Sequence, residues 1–568
     1  MISIKTLANA LVFLNASAIL VFLISSGVFK SPEEVYLQES IESHKFHNKE
    51  VAFEVLNQLD AYVEVPQQYY SSPLKYGQMR MRLTPDPVYC EKVRKLVVEE
   101  PEIYYNQMNF MTKDLAHLFM RRVIIPLAGR DFTDLRIPLE NSTGSYMDPR
   151  ITIYYLSFEM HLFHRLGKEM GCLFQEYSQV LGILILNKKD LVASAATNYT
   201  YKYRDRPQCF DGNKFFPRTL ALDNATQCRE WFNYINTKEY AAEKQNRTIV
   251  FIRKLTTFHQ GKGVQPVDED EEKALIKEYG NGELCGHINK SVIVQRYIHN
   301  PLLVMNHKFD FRIYMLIASV NPLIVYYHDG FLRVSLFEYN VTSKEKGMHL
   351  TNTAQAGGAK NKLLKEGLLN ETELESMQFW NLTRFVNYLV EVGKVESIDW
   401  LDNYLRPQFQ HAMQHLVRMT QHKFYPTSIS YQLMGVDFML DDDLNLWFIE
   451  ANVGPELKEK PKEKETLVTT MILDMFEIVH AQLKSRLKRT IKYINWLDQS
   501  GLLTRDDDGK VKISKLEQRK QEFADITKNY LDEEFEIRSD NGWVKIIDEN
   551  KDGLDRYNYM FGIECFDI

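Results

Sequence analysis

The 568-residue chain has only six cysteines, Cys90, Cys172, Cys209, Cys228, Cys285 and Cys565. None are in CxxC spacing, which argues against a zinc site. Two outcomes stay open: a Cys209–Cys228 disulfide in an oxidising compartment, or free buried thiols. A basic excess is also missing. The net charge of -7 gives no global pull toward nucleic acid, and none is expected as a partner. An anionic ligand must therefore be held by local basic groups. The GxxxxGK[ST] pattern of P-loop ATPases is absent, and no internal repeat is visible. The tail from about 501 lacks any long apolar run.

One long apolar run does exist, "LANALVFLNASAILVFLISSGVF" from Leu7 to Phe29. It is uncharged and long enough to cross a bilayer as a helix. The small residues Ser25, Ser26 and Gly27 also suit signal-peptide cleavage. The expectation is a membrane-associated chain with a single N-terminal span. The compartment stays open between a cytosolic or ciliary face, a secretory lumen and the mitochondrial inner membrane.

The rest reads as globular, with 45% hydrophobic and 26% charged residues. "CEKVRKLVVEEPEIYYNQMNF" has helical apolar spacing interrupted at Pro101. "YYLSFEMHLFHRLGKEMGCLFQEY" reads as one helix. "TIVFIRKL" and "SVIVQRYI" are β-branched runs of strand length. "FDFRIYMLIASV" and "PLIVYYHDGFLRVSLFEY" read as long strands joined near Asn321-Pro322, in an antiparallel sheet. "LESMQFWNLTRFVNYLVEVG" and "DNYLRPQFQHAMQHLVRMTQHKF" read as helices. A long amphipathic helix follows Pro461. The fold class expected is α+β.

Four segments carry chemistry. In "FIRKLTTFHQGKGVQPV", Lys254 ends a strand, and Gly261-Lys262-Gly263 lets backbone N–H groups approach phosphate oxygens. In "NHKFDFRIYMLI", alternation puts Lys308, Asp310 and Arg312 on one face and Phe309, Phe311 and Ile313 on the other. Arg333 on the next strand adds a second cation to the polar face. "GMHLTNTAQ" supplies His349, Thr351 and Asn352. Finally, "VDFMLDDDLNLWFIEANV" reads as a hairpin with oxygen donors Asp437, Glu450 and Asn452. Two carboxylates and an amide carbonyl suit Mg²⁺, which shares its sphere with water and phosphate. Asp441, Asp442 and Asp443 form the solvated turn.

In this order, with "LNKKDL" and "FFPRTLAL" upstream, the segments resemble the tubulin tyrosine ligase-like family of ATP-grasp ligases over roughly 180–480. The resemblance implies an ATP-grasp fold at 176–490. Around it lie an anchor at 1–30, a helical extension at 31–175 and a charged extension at 491–568. It implies that ATP phosphorylates a carboxylate on tubulin or another acidic tail and that a free amino acid attacks. Glutamylation or glycylation is expected. It implies nucleotide contacts from Lys254, Gln260, Gly261, Lys262, Gly263, Gln295, Tyr297, Ile298, Lys308, Asp310 and Asn352. Arg312, Arg333 and Glu450 would be catalytic, and Asp437, Glu450 and Asn452 would hold Mg²⁺. The alternative kept open is a membrane-anchored, catalytically degenerate ATP-grasp protein, an accessory subunit of an organellar membrane complex.

Overall fold

The computed structural model describes residues 44–60, 87–106, 110–111, 148–155, 172–207, 209–210, 212–247, 249–256, 263–288, 290–341, 343, 364–367, 370–455, 457, 462–532, 535 and 537–549. Two N-terminal helices, α1 (Lys49–Leu59) and α2 (Pro87–Glu99), pack through Val51, Val55, Leu56, Val93 and Val97. The stretch expected as one helix from Tyr154 to Tyr177 begins and ends in short parallel strands, Ile153–Tyr154 and Glu176–Tyr177. Pairing with neighbouring chain overrode local helical spacing there, and residues 156–171 lie outside the described ones.

Helix α3 (Lys189–Lys202) leads into a four-stranded sheet built from β1 (Thr219–Ala221), β2 (Phe251–Leu255), β3 (Val264–Pro266) and β4 (Val292–Arg296), in the order β1-β4-β2-β3. One sheet face buries Phe251, Val292 and Val294 against helices α4 (Ala225–Ile235) and α5 (Glu269–Glu278). The other presents Lys254 and Gln295.

The larger sheet holds β5 (His307–Val320), β6 (Leu323–Glu338), β7 (Phe379–Asn381), β8 (Gln432–Leu440), β9 (Leu446–Val453) and β10 (Val544–Asp548). Its order is β7-β6-β5-β8-β9, with β10 also on β6, and all these pairs are antiparallel. Strands β5 and β6 meet at a cis Asn321–Pro322 bond, where the sequence placed the joint. The expected continuous helix around 374–393 is interrupted by β7, because Phe379–Asn381 pairs with Phe331–Arg333.

Odd positions of β5 (Phe309, Phe311, Ile313, Met315, Ile317) bury against α6 (Leu382–Glu391) and α7 (Arg406–Thr420). Even positions change character along the strand. Tyr314, Leu316 and Ala318 lie under the first half of α8 (Lys462–Gln499), whereas Lys308, Asp310 and Arg312 lie toward the four-stranded sheet. The second half of α8 packs Leu483, Leu487 and Ile491 on the N-terminal helices.

Among the described residues Cys90 pairs with Cys172 and Cys228 with Cys285, so the Cys209–Cys228 pairing does not form, and Cys209 is itself disulfide-bonded. Cys228 lies on α4 with its side chain in the core, where Cys285 of the loop before β4 meets it at a Cα–Cα distance of 5.7 Å.

The membrane-associated localisation is corrected. Among the described residues no helix is long and apolar enough to cross a membrane. Even 38-residue α8 is studded with charges, since it serves two protein cores and a solvent face. Leu7–Phe29 itself lies outside the described residues.

Buried His480 and half-buried His411 set an acid limit. His480 of α8 contacts the Tyr104 carbonyl at 3.0 Å, and burial pushes it down to about 3. Burial pushes His411 of α7 down to about 4. Both are neutral when folded but bind protons near 6.5 when unfolded. Their contribution is complete above pH 6.5 and is lost as pH falls through the folded values. For His480 the loss is about 1.4 kcal/mol per pH unit. Glu176, raised by burial to about 7 beside Arg486, offsets one of these protons between pH 7 and 4.5. Denaturant midpoints should therefore fall between pH 6.5 and 4; a flat profile would contradict neutral burial.

Candidate functional site

The charged face of the large sheet meets the polar face of the four-stranded sheet. Strand register places the groups. Asp437 faces both Arg312 on β5 and Glu450 on β9, and Arg333 faces Asp310. Arg312 donates to Asp437 through Nε (2.5 Å) and Nη2 (3.0 Å). Arg333 donates to Asp310 at 2.6 Å and to Asp437 at 2.7 Å. The result is a buried Arg–Asp–Arg–Asp chain in fork geometry. Arg312 and Asp437 are only 7% and 2% exposed, so their face is not the solvated one that alternation alone suggests. Gly435 makes the chain possible. A Cβ there would sit 2.8 Å from Arg312 Cδ and 2.9 Å from Pro455 Cβ.

On β9, Glu450 pairs with Lys189 at 3.0 Å and accepts from Asn452 at 3.3 Å. The Lys189 ammonium holds its carboxyl well below the usual carboxylate range, against the opposing effect of burial. A register shift beside Asp437 lets Glu450 and Asn452 share its face. On β2, Lys254 donates to Gln295 at 2.7 Å, which in turn donates to Thr219 at 2.8 Å. Burial, then the like charge of Lys189, pushes Lys254 down to about 8. Lys308 reaches the Tyr297 hydroxyl at 3.3 Å and stands over the Tyr297 ring. Burial pushes it down to about 7. Ile298, half-buried, follows Tyr297 just past β4.

The structure thus brings Lys254, Gln295, Tyr297, Lys308, Asp310, Arg312, Arg333, Asp437, Glu450 and Asn452 to the two facing sheets. Gly263 closes the β2–β3 connection at φ +80, a backbone state that favours glycine. Gln260, Gly261, Lys262 and Asn352 lie outside the described residues, as do His349 and Thr351. Sequence reading assigned no role to Lys189, Asn187 or Thr219. Lys189 grips Glu450, Asn187 accepts from the Val453 amide at 3.5 Å, and Thr219 holds Gln295. Their only signal was that "LNKKDL" and "FFPRTLAL" belong to the quoted pattern.

The residues expected to hold a metal, Asp437, Glu450 and Asn452, offer oxygen donors, the chemistry Mg²⁺ takes. Among the described residues no three His, Cys, Asp or Glu side chains converge on one point. Both Asp437 oxygens already accept from guanidiniums. Both Glu450 oxygens are partnered as well, by Lys189 and Asn452, so the set would fit an ion that takes most of its sphere from water and phosphate.

Two facing sheets lined by buried lysines, arginines and carboxylates define an α+β protein with a charged cleft. The tubulin-tyrosine ligase family model matches residues 168–490, and the chain belongs to that family. It is 28% identical over 283 residues to the human inactive polyglycylase TTLL10, covering 48% of this chain and 40% of that protein. It is 27% identical over 274 residues to the rat protein polyglycylase TTLL10, covering 47% and 38%. It is 31% identical over 229 residues to the bovine probable tubulin polyglutamylase TTLL9, covering 39% and 45%. The chain therefore spans less than half the length of these relatives.

Proposed function

We propose that the chain is an ATP- and Mg²⁺-dependent ligase of ATP-grasp type that joins an amino acid to a carboxylate of tubulin or another acidic protein tail. Residues 176–490 carry the reaction in this reading, and the segments on either side are extensions. The observation that supports it most is the convergence of Lys254, Lys308, Glu450 and Asn452 beside a buried arginine pair. Nothing among the described residues supports the alternative of a membrane-anchored accessory subunit.

Lys254 and Lys308 would neutralise nucleotide phosphates. Mg²⁺ held by Glu450, Asn452 and Asp437 would supply further charge to the transferring phosphoryl group. An acceptor carboxylate oxygen bonds to the γ-phosphorus as the bond to the β–γ bridging oxygen breaks. The amine nitrogen then bonds to the acyl carbon, the carbon–oxygen bond to phosphate breaks, and the amine loses a proton. Arg312 and Arg333, fixed by Asp437 and Asp310, oppose the negative charge that builds at both stages. Because the carboxylates hold the guanidiniums in place, little reorganisation is needed as charge develops.

The lysines give a pH test. Their cationic forms bind phosphate, and both are depressed by burial, to about 8 and about 7. Mg²⁺–ATP affinity measured by calorimetry should therefore fall as pH rises from 7 to 9, by up to about tenfold per unit for each proton lost. Lys254→Met should weaken binding and leave only the shallower fall due to Lys308. No Mg²⁺–ATP binding by the wild type would overturn the proposed function.

A further inference from the structure

Six N-x-[ST] sequons have a described acceptor asparagine: Asn198, Asn224, Asn246, Asn340, Asn370 and Asn381. Every one of these asparagines is exposed. The motif alone recurs by chance, so local geometry has to decide. Three of the sites share one arrangement. Asn224 starts α4, Asn381 starts α6, and Asn370 starts the helix Glu371–Gln378. In each, the side-chain Oδ1 accepts from a helix amide: Thr226 N at 3.0 Å for Asn224, Glu373 N at 2.9 Å for Asn370 and Arg384 N at 2.8 Å for Asn381. The cap uses the carbonyl oxygen and leaves Nδ2, the atom that carries an N-linked sugar, on the exposed side.

Capping explains the asparagines but not the residues two positions on. Thr226, Thr372 and Thr383 stand exposed in the first turn of their helices. Threonine is a weak helix former, and a carboxylate there would suit the helix dipole better. What the three threonines share is the hydroxyl that completes a sequon. The cysteines are an independent observation. Cys90, Cys172, Cys209, Cys228 and Cys285 are all disulfide-bonded. Disulfides persist in oxidising compartments, where secreted proteins are also glycosylated, and are rare in the cytosol.

We propose that Asn224, Asn370 and Asn381 are N-glycosylated, with a lipid-linked oligosaccharide diphosphate as the donor. Nδ2 bonds to the anomeric carbon of the first sugar, the bond from that carbon to the diphosphate oxygen breaks, and Nδ2 loses one proton. The caps survive, because Oδ1 takes no part. None of the three asparagines is among the residues brought to the two facing sheets. The modification needs no membrane span. It is independent of the ligase reading, whose acceptor it narrows to an acidic protein of the same compartment.

The test is peptide mapping by mass spectrometry of the full chain expressed in cultured animal cells and treated with peptide-N-glycosidase in heavy-oxygen water. All three asparagines should be released as heavy-oxygen-labelled aspartate. Thr226→Ala, Thr372→Ala and Thr383→Ala each break one sequon and keep its capping asparagine, so each should abolish the label at its own site. Thr226→Ser, Thr372→Ser and Thr383→Ser should retain it, which separates loss of the sequon from loss of folding. Unlabelled asparagine at all three positions, a label that survives the alanine substitution in its own sequon, or free thiols at Cys228 and Cys285 in the cell-derived chain would each overturn the proposal. A glycosylated chain that does not bind Mg²⁺–ATP would leave these sites standing and remove the ligase reading.

Discussion

Glu450→Gln is expected to weaken Mg²⁺-dependent nucleotide binding, and amino-acid transfer to an acidic peptide, by at least about 100-fold, or about 2.7 kcal/mol. Gln keeps the shape, so the Asn452 amide can still donate to its side-chain carbonyl. What it loses is the negative charge that Lys189 holds ionised at 3.0 Å and that a divalent cation would need. The loss should be specific to Mg²⁺. Titrating ATP in EDTA, where the metal term is absent, should show a much smaller difference between wild type and variant. Wild-type affinity in the variant with Mg²⁺ present would mean that Glu450 serves only as the counter-ion of Lys189. Because Gln also leaves Lys189 without its anion, thermal unfolding is measured alongside, and a folded variant that has lost Mg²⁺-dependent binding separates a binding defect from unfolding.

Asp437→Ala should act the other way, costing stability first, by about 3–5 kcal/mol in denaturant unfolding. Asp437 accepts both hydrogen bonds of Arg312 and one of Arg333 in a nearly dry interior. Its removal leaves Arg312 buried without its anion, whereas Arg333 keeps Asp310 at 2.6 Å. Arg312→Met combined with Asp437→Ala removes both charges and should recover part of the loss, because the unpaired charge and not the missing contact is the main cost. If Asp437→Ala unfolds at the wild-type midpoint, the Arg–Asp chain is not a structural element. Asp437 would then be better read as a metal ligand alone.

The two variants divide a pair of carboxylates that looked equivalent in the hairpin "VDFMLDDDLNLWFIEANV". Two-residue alternation puts Glu450 and Asn452 on one face, and it also separates Lys308, Asp310 and Arg312 from Phe309, Phe311 and Ile313. Those relations are local, and the register agrees with them. Which carboxylate is already occupied is not local. Arg312 lies 125 residues before Asp437, and Lys189 lies in a segment read only as part of a pattern. The Cys228–Cys285 pairing was missed for the same reason, since the two lie 57 residues apart and the sequence left only Cys209–Cys228 or free thiols in view.

The tail from 501 shows a similar limit. It lacks a long apolar run, yet Val544–Asp548 pairs with Ile324–Tyr327 and Ile546 and Ile547 join the main core. Five residues suffice for an edge strand when another strand supplies the hydrogen bonds, so the signal lies in the partner and not in the segment.

By itself the sequence determined the alternation of β5 and β8, the β5–β6 joint at Asn321-Pro322, the long helix after Pro461 and the types of residue that can hold phosphate and Mg²⁺. These depend on backbone periodicity and side-chain chemistry, which neighbours in the chain already specify. Only the tertiary structure decided that Asp437 is bound by Arg312 and Arg333 and that Glu450 is held by Lys189. Each depends on desolvation and contact between segments far apart in sequence, and burial sets whether a charge there is a ligand, a counter-ion or a cost.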